Sequence, residues 1–133
     1  MDRSARILKP GLITRCSGLE KDKAYLRHMS DECSYLLQIS RETPISSIIR
    51  DPTLQRAVVR SIEVLGEASK NISPQLKDQN PDIPWEDIAG TRDILAHRYF
   101  GVDWDIVADV VSNEIPRLQA RIGIILAQIE NEK

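Results

Sequence analysis

Residues 103–130 read DWDIVADVVSNEIPRLQARIGIILAQIE, and the spacing of their apolar side chains decides the fold class. Val107, Val110, Val111, Ile115, Leu118, Ile122, Ile125 and Ile129 recur every three or four positions, the period of one helix face. Asp103 places a capping side chain ahead of the first turn. Pro116 falls inside the stripe without shifting its phase. A proline there removes one backbone donor, so the spacing predicts one long helix with a kink.

The same period recurs upstream. Leu26, Met29, Cys33, Leu36 and Leu37 predict a helix from Lys23 to about Ser40, ended near Pro44. Asp51-Pro52 pairs a capping carboxylate with proline at the first helical position, and Leu54, Val58, Ile62 and Leu65 carry that helix to about Lys70. Ser73-Pro74 opens a short helix that Pro81 closes, and Ile83-Pro84-Trp85-Glu86 starts another, which carries Ile88, Ile94 and Leu95 and frays near Tyr99. No segment alternates with the strand period of two. The expected fold is all-α, an antiparallel bundle of four to five helices. Lys9, Pro10 and Gly11 are expected to interrupt any earlier helix. Residues 1–22 are therefore read as a partly ordered extension, and 23–133 as the helical domain.

Bulk properties narrow the function. The chain has 133 residues, enough for one domain, and 41% are hydrophobic, enough for a core without disulfides or metal. Lys and Arg total 18 against 20 Asp and Glu, so any nucleic-acid function needs a local basic site and not a basic protein. Cys16 and Cys33 stand apart without a Cys-x-x-Cys pair, as in a reduced cytoplasmic protein, and Cys33 reads as a buried thiol. No apolar run approaches a membrane span, and residues 1–22 lack the apolar core of a secretory signal. The expected compartment is the cytoplasm. Two histidines, His28 and His97, leave no ligand set for a metal, and no Gly-rich phosphate loop or nucleophile elbow is present, so no cofactor is expected.

One stretch concentrates chemistry: Thr91-Arg92-Asp93-Ile94-Leu95-Ala96-His97-Arg98-Tyr99-Phe100. On a regular helix Asp93 and His97 lie about 40° apart, so the carboxylate can orient one ring nitrogen and leave the other as a base. Arg92 and Tyr99 lie about 20° apart on another face, whereas Arg92 and His97 are separated by about 140°. One rigid helix struggles to aim both at one small group. Two copies facing across a two-fold axis can do so, as can a frayed helix end. RNA carries its own nucleophile, the 2′-hydroxyl; a histidine near neutral pKa can take its proton, and an arginine fork matches the phosphorane oxygens. These residues also fit a solvated helix end with an Asp93–His97 pair.

Arg92-x4-His97-x-Tyr99 resembles the signature of HepT-type toxins of the HEPN superfamily, with Asp93 as the polar residue after the arginine. Ile83-Pro84-Trp85, Ile88-Ala89-Gly90, Phe100-Gly101-Val102-Asp103, Asp51-Pro52 and Leu65-Gly66-Glu67-Ala68 are similar to that family too, from roughly Lys23 to Glu130. Thr91 departs from it, standing where larger apolar residues are usual. The resemblance implies a helical homodimer whose two motifs face one another, and metal-independent RNA cleavage by Arg92 and His97 that leaves a cyclic phosphate. Asp93 and Arg98 would support them. It also implies a partner antitoxin, the minimal nucleotidyltransferase MntA, which transfers adenylate from ATP to Tyr99. The added bulk and charge would block phosphate binding. The alternative is a non-catalytic helical partner that binds the nucleotidyltransferase and accepts adenylate; an intact Arg-x4-His pair favours the toxin.

The remaining conspicuous residues read as structural. Trp85 and Trp104 are expected core or interface anchors, and Gly66 and Gly90 are expected to permit close helix packing. Arg56 and Arg60 alternate with Glu63 and Glu67 along a solvated, internally paired face. His28 receives no function.

Overall fold

A computed structural model describes the backbone of residues 10–97 and 102–131 and the side chains of residues 19–91 and 102–131. The described residues form helices joined by short turns, without a strand. Helix α1 spans Pro10–Glu42, α2 Ile45–Ile48, α3 Pro52–Lys70, α4 Pro74–Gln79 and α5 Trp85–His97. Helix α6, Trp104–Asp109, runs through a π turn, Val110–Glu114, into α7, Ile115–Asn131.

Capping chemistry sets most of these boundaries where expected. The Asp51 carboxylate accepts from the backbone N–H groups of Thr53 and Leu54, and Pro52 follows at the first helical position. Ser73 caps α4 through Leu76, and Asp103 caps α6 through Asp105 and Ile106. The disturbance expected at Pro116 takes the form of the π turn just before it. Proline cannot donate to the carbonyl four residues back, and a wider turn there eases the clash with its ring.

The start of α1 corrects an expectation. Lys9-Pro10-Gly11 reads as a break, yet the helix begins at Pro10 and passes through Lys23 without interruption. Proline is well suited to the first helical position because the N–H it lacks would have no intrahelical partner there. Asp22, 4% exposed, is part of the packed body: its carboxylate accepts from the Ser73 N–H at 2.8 Å and hydroxyl at 2.6 Å. The α1 boundary therefore lies upstream of residue 22, and residues 1–9 lie outside the described residues.

Helix α1 packs against both α3 and α7, and α3 packs against α5. Asp22 meets Ser73 and Glu32 meets Ser61, so α1 and α3 run antiparallel. Arg27 meets Glu130 and Ser34 meets Gln119, which makes α1 and α7 antiparallel as well. The core is aliphatic, with Leu26, Met29, Cys33 and Leu36 of α1 facing Ile122 and Ile125 of α7 and Val58, Ile62 and Leu65 of α3. Burial, with a smaller push from nearby Glu32, raises the Cys33 thiol to about 12, so it behaves as a packed apolar group. No helix among the described residues is long and apolar enough to cross a membrane.

Candidate functional site

The backbone of Arg92, Asp93 and His97 lies in α5, which stays helical through His97. Their side chains lie outside the described residues, as do Arg98 and Tyr99 altogether. What the structure defines is the frame that carries the motif.

Trp85 anchors the front of that frame. It is 6% exposed, its indole N–H donates to the Asn80 carbonyl at 3.0 Å, and the Ser69 hydroxyl donates to the Trp85 carbonyl at 3.1 Å. A buried tryptophan with a satisfied N–H fixes where α5 leaves α3, which is the anchoring role expected of it. Glu86 and Asp87 then sit in the first turn, where negative charge complements the helix dipole. Behind the motif, Asp103 restarts the helix, and Val102 and Trp104 pack partly buried against the core.

A clasp that the sequence reading did not find steadies the turn before α5. Arg121 of α7 donates to both oxygens of Asp82, at 2.6 and 3.2 Å, and to Asn80 Oδ1 at 2.9 Å. Asn80 is itself buried and donates to the Leu76 carbonyl at 3.1 Å. The hydrogen bonds from Arg121 hold the Asp82 carboxyl below its ordinary value. The partners are 39 and 41 residues apart in the chain, and no local pattern announces them.

Beside this clasp a groove of about 560 Å³ opens between α5 and the α6–α7 helix. Ile83, Ile88, Val110 and Leu118 form its apolar floor, and the groove reaches Thr91, one residue before Arg92. Thr91, which departs from the usual large apolar residue, donates its hydroxyl to the Asp87 carbonyl at 2.8 Å. Four carboxylates, Asp82, Asp87, Asp109 and Glu114, line the groove against two guanidiniums, Arg117 and Arg121. That balance, among the described lining residues, disfavours a phosphate backbone along this groove.

Two other expectations are settled here. Arg60 pairs with Glu63 at 3.7 Å across one turn, which fits the solvated, internally paired face. A Cβ placed on Gly90 would meet no atom of the described residues within 4 Å, so no close approach among them requires a glycine there. The expectation of a helix contact at that position is corrected, because its side of α5 faces open space.

A family model described as ribonuclease HepT-like matches residues 29–125. A protein of Caldanaerobacter subterraneus subsp. tengcongensis named "Putative RNase" is 37% identical over 108 residues, covering 81% of this chain and 96% of that relative. A protein of Thermococcus cleftensis named "Probable ribonuclease HepT" is 37% identical over 99 residues, covering 74% of this chain and 90% of the relative. No solved structure matches the chain significantly.

Proposed function

The chain belongs to the HepT-like ribonuclease family, and from that premise we propose that it is a metal-independent endoribonuclease whose site forms where two copies meet. It acts as the toxin of a toxin–antitoxin pair. The observation that carries this reading is the continuity of α5 through His97. A helix that frayed earlier could fold Arg92 and His97 onto one phosphate. A helix that persists keeps their positions about 140° apart. A second α5 across a two-fold axis supplies the missing partner to each.

Gly90 supports a second copy independently. Two turns separate it from His97, which places both within about 20° on one face of α5. A mid-helix glycine costs about 1 kcal/mol against alanine, and no neighbour among the described residues requires it. A partner helix approaching that face does.

In the proposed reaction His97 of one copy takes the proton of the 2′-hydroxyl, with Asp93 orienting the ring. The oxygen attacks the adjacent phosphorus, and the P–O5′ bond breaks as the 5′-oxygen takes a proton from solvent, so a cyclic phosphate remains. Arg92 of the other copy, with Arg98 beside it, holds the charge that develops on the phosphorane oxygens. Tyr99 is the switch: adenylate placed there by a nucleotidyltransferase antitoxin adds negative charge next to Arg92 and excludes the substrate phosphate.

The test is RNA cleavage in EDTA. Wild type should cut, and Arg92→Ala and His97→Ala should each lose at least about a hundredfold while remaining folded dimers. Co-expressing the two variants then distinguishes the site's origin. Half of the random dimers are mixed, and each mixed dimer holds one complete composite site, so about a quarter of wild-type activity returns. A mixture as inactive as its parents would place both residues of a site in one copy. Incubation of wild type with the nucleotidyltransferase and ATP should add adenylate to Tyr99 and abolish cleavage. Folded wild type that cuts no RNA in a broad panel would refute the enzyme.

A further inference from the structure

We propose that the groove between α5 and the α6–α7 helix is a docking site for a basic amphipathic segment of a partner protein. Two features of the groove carry this. Its floor contains Ile88 and Val110, which are only partly buried among the described residues, above the fully packed Ile83 and Leu118. Among the described lining residues its rim is acidic in excess: once Arg121 is committed to Asp82, three carboxylates face one further guanidinium, that of Arg117.

The rim charges are available. Asp87, Asp109 and Glu114 are exposed, and Asp87 and Glu114 form no ion pair with a described residue. An apolar strip flanked by carboxylates selects a ligand with apolar side chains on one face and Lys or Arg at its margins. The wall from Glu114, which ends the π turn, to Arg121 of α7 rises about 10 Å, enough for roughly two turns of a docked helix. Nucleic acid fits neither feature, because phosphate meets the acidic rim. Among the described residues the groove reaches Thr91, so an occupant would border Arg92.

The binding claim goes beyond RNA cleavage and does not rest on it. Fluorescence anisotropy of a labelled leucine–lysine amphipathic helical peptide against the full chain provides the test, with a leucine–glutamate peptide as its counterpart. The lysine peptide should bind at low salt, and Asp87→Lys/Glu114→Lys protein should bind it about tenfold more weakly. The glutamate peptide should show the reverse preference. Val110→Arg, which keeps the rim and blocks the floor, should weaken the lysine peptide too. Circular dichroism confirms that each variant is folded. His97→Ala protein should bind like wild type, which separates this claim from the ribonuclease. Equal binding of the lysine peptide by wild type and the charge-reversed variant would overturn the proposal.

Discussion

The seam between α1 and α7 and the seam between α5 and α7 are built from the same kind of helix, yet one is closed and the other is open. Leu26, Met29 and Leu36 meet Ile122 and Ile125 with no more than 1% of any of them exposed. Glu130 locks the far end of that seam by pairing with Lys23 at 3.0 Å and Arg27 at 2.9 Å. Across the bundle, α7 holds the turn before α5 through the clasp of Arg121 on Asp82 and Asn80, and beyond the clasp lies the groove. The helix that carries the motif is thus wrapped on one side by α3 and left accessible on the other. The residues proposed for chemistry sit on a helix that α3 holds firmly along one side and that borders the groove along another.

The largest expected effect breaks the closed seam. Ile122 is fully buried, so Ile122→Ala removes its packing and leaves a cavity, costing about 2–5 kcal/mol. Val110→Ala, at the partly exposed floor of the groove, should cost less than about 1 kcal/mol, because little burial is lost. Urea unfolding of the two variants compares the seams directly. Equal losses would mean that the groove side carries as much of the core as the α1 side.

The helix carrying the motif was readable before its surroundings were. Proline and capping residues announced α3, α4, α5 and α6 because a cap acts over three or four residues, within reach of a local pattern. Pro10 misled because the same residue breaks a helix interior and starts a helix; only the packing of Asp22 onto Ser73 tells which applies. The Arg92–His97–Tyr99 pattern was visible as a motif, but Arg121, Asp82 and Asn80 were not, since their partnership exists only once α7 folds across the bundle. Gly90 was visible and read for the wrong neighbour: its open side looks out of the chain.

That glycine gives the second prediction. Gly90→Ala meets no atom within 4 Å, so the folded chain should gain up to about 1 kcal/mol from helix propensity and a less flexible unfolded state. If a second α5 approaches that face, the same methyl group should weaken self-association, measured by sedimentation, even as thermal stability rises. Higher stability with undiminished association would remove Gly90 from the argument for a composite site. A loss of stability would contradict the open face itself.

The smallest effect belongs to the clasp that holds the open seam. Asp82 is exposed and its carboxyl is held below the ordinary value, first by the Arg121 hydrogen bonds. A carboxylate depressed in the folded state contributes stability that is present above its unfolded pKa and lost as pH falls through its folded pKa. The advantage of wild type over Asp82→Asn should therefore be constant near neutral pH. It should shrink as the pH drops through and below the usual carboxylate range, and fall with added salt because the pair faces solvent. Urea midpoints of the two proteins at neutral and acid pH measure it. Hydrogen exchange of the first-turn amides of α5 should report the same loss locally, since the clasp steadies the turn that launches that helix. An advantage unchanged by acid would show that Arg121 holds Asp82 by hydrogen-bond geometry alone. The open seam would then be fastened by the neutral Asn80 arm as firmly as by charge.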